Sequence, residues 1–188
     1  VMKTREETTE LQKTAESTWN LGDVTSAIVE SEEIEDEEER FYTLFNELDR
    51  ESFESYLEDH EEVLEKGWDR IAIDKCDEDS DTGIRTKQGD TVLAISAKQG
   101  IMIVKVKGET YEGRLAIVKD ASRVELKTCE ELFDVGQYIK DIAEDNDAIL
   151  AINASGFVDA DGVGNGGTPY GYLKVAGKEL QEPYEHGY

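Results

Sequence analysis

The sequence predicts an α+β fold, in which a mainly antiparallel sheet with a packed helix follows an acidic helical segment. Two observations predict it. Up to residue 66, apolar side chains recur at helical spacing, whereas from Gly67 onward short β-rich segments alternate with hairpin-length links. Links of that length join antiparallel neighbours and disfavour βαβ repeats. We therefore expect an acidic helical segment at 1–66 and an α+β domain at 67–188.

Composition limits the partners of the chain. Its 188 residues carry a formal charge of −25, and residues 1–65 hold 22 of the 45 acidic residues but only 5 of the 20 basic ones. Because nucleic acids and anionic membrane surfaces repel a polyanion, we expect neither as a partner. No apolar run reaches the roughly 18 residues of a membrane span. Two cysteines, Cys76 and Cys129, leave one disulfide and two free thiols as open alternatives.

Helical patterns dominate the acidic segment. A narrow apolar stripe predicts a helix at 4–20, and the acidic run at 30–40 predicts a solvated linker. The helical pattern resumes at 41–66, where Asp49 is the expected N-cap of a second helix. Such stripes form only marginal helices alone, so we expect them to dock either on the rest of the chain or on a second copy, giving a homo-oligomer.

The β-rich part begins after Gly67. Alternating residues predict a first strand at 68–74, and three further segments predict an antiparallel meander: 91–97, 101–107 and 114–119. The aspartates of 77–83 stand at alternate positions, but the glycine and the last glutamate of an EF-hand loop are missing, so we interpret this stretch as a solvated hairpin tip. An amphipathic pattern predicts a helix at 134–145, with Val135, Tyr138, Ile139 and Ile142 on one side, and we expect this helix to pack on the sheet.

The stretch at 148–178 carries the chemistry. An apolar run at 148–152 predicts a buried strand that ends at Asn153. A loop rich in glycine, asparagine and aspartate follows, and a strand-like pattern returns at 170–175. Ordering such a loop is costly unless something is bound there. Two interpretations are open: a ligand-binding loop, or a mobile solvated connection built from ordinary turn residues.

The candidate site residues lie in this loop. Glycines let the backbone approach a ligand, and carboxylate or carboxamide oxygens suit cations and sugar hydroxyls. We assign catalytic roles to Asn153, which can orient a substrate oxygen, and to Asp159, whose carboxylate can act directly. Asp159 and Asp161 are also the expected ligands of a calcium ion. The expected substrate-binding residues are Ser155, Gly156, Gly164 and Asn165.

The same residues carry a resemblance to a known family. INASGF, followed by GVGNGG, a short strand and Ala176-Gly177-Lys178, resembles the phosphodiester glycosidase family, which acts on N-acetylglucosamine-1-phosphodiesters. Its members have a strand ending in Asn-Gly-Gly-Phe-Phe and then a Gly-rich loop with Gly-Asn. Asn153 and Gly156-Phe157 keep that pattern. The chain departs from it at Ala154, Ser155 and Val158, and at Ala121, where the family has the proline of Asp-Pro-Ser-Arg.

The resemblance implies a function and a location. It implies hydrolysis of a sugar-1-phosphodiester at the bacterial cell surface or in exopolysaccharide metabolism. The protein is then extracellular, or membrane-anchored with an exported domain, and its signal or anchor lies upstream of Val1. Because family members continue beyond the position of Tyr188, we expect the domain to be incomplete at its C-terminal end. The departures favour an alternative, a noncatalytic extracellular module that binds carbohydrate or calcium.

Overall fold

The computed structural model describes residues 34–77, 81–158 and 166–182. The chain forms two compact units, Val1–Val124 and Glu125–Tyr188, so the assignment of 67–188 to a single domain stays a prediction. The described elements confirm an α+β fold with a mainly antiparallel sheet. They are α1 (Glu37–Leu44), α2 (Arg50–Asp59), β1 (Ala72–Asp74), β2 (Thr91–Ser96), β3 (Ile101–Lys107), β4 (Glu112–Val118), α3 (Ile139–Asp145), β5 (Leu173–Val175) and β6 (Lys178–Gln181).

Two capped helices open the described part of the first unit. Asp36 precedes α1 and Asp49 precedes α2, and each carboxylate accepts a hydrogen bond at 2.9 Å from the backbone N–H three residues later. These bonds satisfy amides that have no partner within the helix. The predicted Asp49 cap is confirmed. The predicted linker is wrong at 37–40, because the Asp36 cap and three glutamates in the first turn favour a helix start there. The predicted helix at 4–20 lies outside the described residues.

The four-stranded sheet has the order β1-β2-β3-β4, and every neighbouring pair is antiparallel. This arrangement confirms the predicted meander, and β3 has the predicted bounds. The first strand is shorter than predicted because Trp68–Arg70 forms a 3₁₀ turn. In the register, Met102 of β3 lies between Ile95 of β2 and Ile117 of β4. A continuous apolar row therefore crosses the sheet.

One hydrophobic core joins both helices to one face of this sheet. Phe41 of α1 and Phe53 of α2 stack with ring centroids 5.2 Å apart. The described part of the acidic segment thus docks on the sheet, which is one of the two arrangements expected from its apolar stripes. The buried members of the core are Phe41, Phe45, Leu48, Phe53, Tyr56, Leu57, Ile71, Ile73, Ile84, Val92, Ile95, Met102, Val104 and Ile117.

A buried ion pair connects the helical segment to the end of β4. Lys119 is only 2% exposed, and its Nζ lies 2.6 Å from both carboxylate oxygens of Glu47. Burial lowers the pKa of Lys119, against the opposing effect of the Glu47 carboxylate. The Lys119 backbone is held as well, because its N–H donates to the Gly100 carbonyl at 2.9 Å. Two segments far apart in sequence are thereby joined.

The second unit contains α3 and the β5–β6 hairpin. α3 is shorter than the predicted helix at 134–145 because the amides of Asp134 and Val135 both donate to the Glu131 carbonyl and form a turn. Gly136, within that stretch, also has a low helix propensity. The apolar side of this helix is not buried as predicted: α3 buries no residue, Tyr138 and Ile139 are exposed, and Ile142 is half-buried.

The structure also shows the state of both cysteines and whether any described helix could cross a membrane. Cys76 is an exposed free thiol and Cys129 is a buried one, so the free-thiol alternative holds. Partial desolvation and then the neighbouring Asp74 raise the pKa of the Cys76 thiol, which favours its protonated form. Within the described ranges, no helix has the length and apolar character needed to cross a membrane.

Replacing Glu47 with glutamine is expected to destabilise the first unit by about 3 kcal/mol, because Lys119 then keeps a buried charge without its counter-charge. Chemical denaturation followed by circular dichroism measures the loss. Glu58→Gln, an exposed carboxylate on α2, is the matched control and is expected to change stability by less than about 0.5 kcal/mol.

The double variant Glu47→Leu with Lys119→Met removes both charges and is expected to recover most of that stability. A Glu47→Gln protein as stable as the unchanged chain would contradict a structural role for the ion pair.

Candidate functional site

The apolar run at 148–152, which follows α3, is not the buried strand that the sequence predicts. Ile149 is 62% exposed and Ile152 is 74% exposed. A strand requires backbone hydrogen bonds to a neighbouring strand. Among the described residues no strand or isolated bridge pairs with this run, which is why the prediction is wrong. Asn153 therefore follows an exposed segment without regular secondary structure.

Asn153 and Ser155 form a small polar turn. The Asn153 side-chain oxygen accepts a hydrogen bond from the Ser155 N–H at 3.4 Å, an arrangement typical of asparagine in turns. The Ser155 hydroxyl donates to the Gly156 carbonyl at 3.1 Å and lies 3.5 Å from the Tyr170 carbonyl. Asn153, Ser155 and Gly156, which we assigned to the site, are all exposed. Their polar atoms are therefore accessible to a ligand.

A short antiparallel bridge closes the base of the Gly-rich loop. The Val158 N–H donates to the Thr168 carbonyl at 2.8 Å, and the Tyr170 N–H donates to the Gly156 carbonyl at 3.0 Å. Between these two bonds, residues 157 and 169 pair directly. The two sides of the loop consequently start side by side. We call residues 156–158 and 168–170 the loop stem.

Three of the sequence-predicted site residues lie in or directly before this stem: Asn153 and Ser155 in the polar turn, and Gly156 as the first residue of the stem. The other four lie outside the described residues: Asp159, Asp161, Gly164 and Asn165. The described part of the chain has no group of three or more histidine, cysteine, aspartate or glutamate side chains placed to hold a metal ion. Calcium binding by Asp159 and Asp161 stays a prediction.

Two residues that we did not assign from the sequence hold the returning side of the loop. The Gln181 side chain in β6 donates to the carbonyls of Pro169 and Gly171, at 2.9 Å and 2.7 Å. The Tyr170 ring lies against Gly156, since a Cβ at Gly156 would stand 3.1 Å from Tyr170 Cδ2. Neither role can be predicted from the sequence, because each depends on a contact between segments that are not adjacent in the chain.

Gly167 holds the loop stem against the turn that precedes α3. Its carbonyl accepts a hydrogen bond from the Phe133 N–H at 2.8 Å. A Cβ at position 167 would lie 2.8 Å from the Asp134 carbonyl carbon and 2.9 Å from the Val135 nitrogen. Those atoms belong to the backbone and have little room to move. Only glycine fits this close approach.

A second candidate is a surface cleft of about 420 Å³ in the first unit, lined by residues of α1, by Asp36 before it and by Arg50 of α2. Its Arg50 guanidinium lies 4.1 Å from the centre of the Tyr42 ring and forms ion pairs with Glu38 at 2.6 Å and Glu54 at 2.9 Å. Burial and then the Glu54 charge raise the pKa of Tyr42 to about 12, against the opposing effect of Arg50. Because the arginine is already shared by two carboxylates, we assign no ligand to this cleft.

Comparisons with known proteins find no family model that matches the chain, and no curated protein or solved structure with significant similarity to it. The resemblance to phosphodiester glycosidases therefore rests on the motif around Asn153. The function has to be argued from that motif and from the geometry of the loop stem.

Replacing Gly167 with alanine is expected to open the base of the loop, because the new methyl group would displace the backbone of Asp134 and Val135. Overpacking of this kind typically costs about 1–3 kcal/mol. Hydrogen exchange of the Phe133 and Tyr170 amides reports the opening, and both should exchange faster.

Gly113→Ala in β4 is the control, because its Cβ would meet its nearest neighbour at an ordinary 3.9 Å. Unchanged protection of both amides in the Gly167→Ala variant would contradict the close approach at this position.

Proposed function

We propose that the chain is a phosphodiester glycosidase, which hydrolyses a sugar-1-phosphodiester to a free sugar and a phosphomonoester. The observation that carries the proposal is the closed loop stem. At this stem the exposed side chains of Asn153 and Ser155 lie beside the Gly156 backbone, and the Gly-rich loop begins and returns there. This arrangement supports the ligand-binding interpretation of the loop, because a paired base restricts where the loop residues can reach.

The reaction replaces a phosphate oxygen with a water oxygen at the anomeric carbon of the sugar. The bond between that carbon and the phosphate oxygen breaks, and its electron pair leaves with the phosphomonoester. The water oxygen bonds to the carbon and gives a proton to the Asp159 carboxylate or to the departing phosphomonoester. Positive charge develops on the sugar ring in the transition state, so a nearby carboxylate lowers the barrier. In the proposal Asp159 supplies this carboxylate, either as a base toward water or as a nucleophile.

The remaining residues bind and orient the substrate. Asn153 orients a substrate oxygen through its exposed carboxamide. The Ser155 hydroxyl exchanges its bond to the Gly156 carbonyl for one to a substrate oxygen, since an exposed neutral hydrogen bond contributes only about 1 kcal/mol. The exposed Gly156 backbone lies beside the Ser155 hydroxyl, the backbone at Gly164 allows close approach to the phosphate, and Asn165 contributes a further amide.

A chain at −25 repels an anionic phosphodiester, so a bound cation would favour binding. In the alternative role of Asp159, this carboxylate and Asp161 would hold a calcium ion that neutralises the phosphate. We assign no step of the reaction to this ion. We propose further that the protein works outside the cell, at the bacterial surface or on exopolysaccharide.

A noncatalytic carbohydrate- or calcium-binding module is the second candidate function. One observation favours it: the Asn153 side-chain oxygen is already engaged with the Ser155 amide, as expected for a structural turn. The departures from the family motif at Ala154, Ser155 and Val158 agree with this alternative. Binding without hydrolysis distinguishes it from the enzyme.

Asn153→Ala is expected to lower kcat/KM for sugar release from an N-acetylglucosamine-1-phosphodiester by about 10²-fold, the usual effect of losing one oriented donor. Free sugar is quantified after incubation with the unchanged chain and with the variant. Asn46→Ala removes an exposed carboxamide in the first unit and is expected to change nothing. A folded Asn153→Ala variant with full activity would exclude Asn153 from the site, and sugar binding without release by the unchanged chain would favour the noncatalytic module.

Calcium is expected to raise the melting temperature of the unchanged chain, because a ligand that binds only the folded state stabilises it. Asp159→Asn with Asp161→Asn should abolish this rise. The control is Glu61→Gln with Glu62→Gln, which removes the same charge from an exposed turn and should keep the rise. Equal calcium responses in the two double variants would count against ligation by Asp159 and Asp161.

A further inference from the structure

We infer that Tyr170 is a sugar-binding residue of the loop stem, and that its exposed ring stacks on the pyranose ring of the substrate. The inference rests on the proposed function, because it names how that same site would recognise a sugar. It concerns a residue that the family motif does not single out. Three features of the described residues support it: the position of the ring, its exposure, and the bonds that hold its backbone.

The first feature is position. The Tyr170 N–H donates to the Gly156 carbonyl at 3.0 Å, and the ring lies against the Gly156 Cα. The Ser155 hydroxyl is 3.5 Å from the Tyr170 carbonyl. The aromatic ring and the Ser155 hydroxyl thus both lie at Gly156, since the hydroxyl donates to the Gly156 carbonyl. A sugar ring presents the complementary pair, a face of C–H groups and an edge of hydroxyls.

The second feature is exposure. Tyr170 is 55% exposed although it sits in a paired part of the chain. An aromatic face carries partial negative charge, which attracts the slightly positive C–H groups of a sugar, and covering it removes apolar surface from water. Because polar groups such as the Ser155 hydroxyl lie in the same stem region, a purely apolar ligand would fit this surface less well. The chemistry of this surface therefore favours a carbohydrate.

The third feature is preorganisation. The Gln181 side chain donates to the carbonyls of Pro169 and Gly171, which are the two neighbours of Tyr170 in the chain. These bonds hold the tyrosine backbone from both sides. A ring on a backbone that is already ordered loses little conformational entropy when a ligand binds. The aromatic side chain itself adds only two rotatable bonds to that cost.

Tyr172 provides a matched comparison two residues further along the chain. It is exposed to a similar extent, 52%, but its hydroxyl donates to Glu179 at 3.1 Å. No described contact places its ring at Gly156 or Ser155. Removing the Tyr172 ring therefore deletes the same amount of exposed aromatic surface without touching the loop stem.

The experiment measures binding separately from turnover. N-acetylglucosamine 1-phosphate is titrated into the full chain, and affinity is read by calorimetry or by ligand-observed NMR. Tyr170→Ala is expected to weaken binding by roughly three- to tenfold, the size of one lost aromatic contact. Tyr170→Phe keeps the ring and should stay within about twofold, and Tyr172→Ala should match the unchanged chain. Hydrogen exchange of the Val158 amide verifies that the stem stays closed in each variant.

The outcomes separate this inference from the proposed function. Binding that depends on the Tyr170 ring, without sugar release from the phosphodiester, supports the inference and overturns the hydrolase. Sugar release with an unchanged KM and affinity in a Tyr170→Ala variant supports the hydrolase and overturns the inference. If the unchanged chain does not bind the sugar phosphate, or if Tyr172→Ala weakens binding as much as Tyr170→Ala, the inference is overturned as well.

Discussion

Burial of the aromatic side chains of α1 and α2 against one face of the antiparallel sheet holds the first unit together. Phe45 and Phe53 are completely buried, and side chains of this size contribute about 2 kcal/mol each on burial. Without that contact neither short helix would persist, because helices of this length are marginal in water and these carry many like charges. The Lys119–Glu47 ion pair fixes where the helical segment contacts the sheet. It joins the connection between α1 and α2 to the residue that follows β4.

The second unit is built differently. Among its described residues Cys129 is the only hydrophobic side chain that is buried, and several large apolar side chains are exposed. Order there comes from backbone pairing in the loop stem, from the Gln181 bonds and from the close approach at Gly167. Regions with few buried contacts open locally at low free-energy cost. A ligand that binds across the stem would therefore stabilise this unit more than the first.

The candidate site is exposed because the second unit is built in this way. Polar side chains in a well-packed core are satisfied by protein partners, whereas Asn153 and Ser155 stand on an exposed turn whose hydrogen bonds are long or local. Such groups exchange partners readily. The paired stem supplies the rigid part of the site, and the exposed turn supplies the groups that meet the substrate. Tyr170 belongs to both, because its backbone is part of the pairing while its ring faces solvent.

Sequence patterns by themselves determined the class of the fold, the Asp49 cap and the β3 strand, because helical periodicity, strand alternation and capping depend on residues close together in the chain. They also selected Asn153, Ser155 and Gly156 as site residues, and that assignment stays a prediction. Tertiary structure decided which apolar segments were buried. The run at 148–152 has strand composition, yet a strand exists only where a neighbour supplies its hydrogen bonds, and no described residue does so.

The Lys119–Glu47 pair joins side chains 72 residues apart, and the contact of Tyr170 with Gly156 crosses the loop stem. Contacts of this kind leave no periodic trace in the sequence, because they are set by how the elements meet in space.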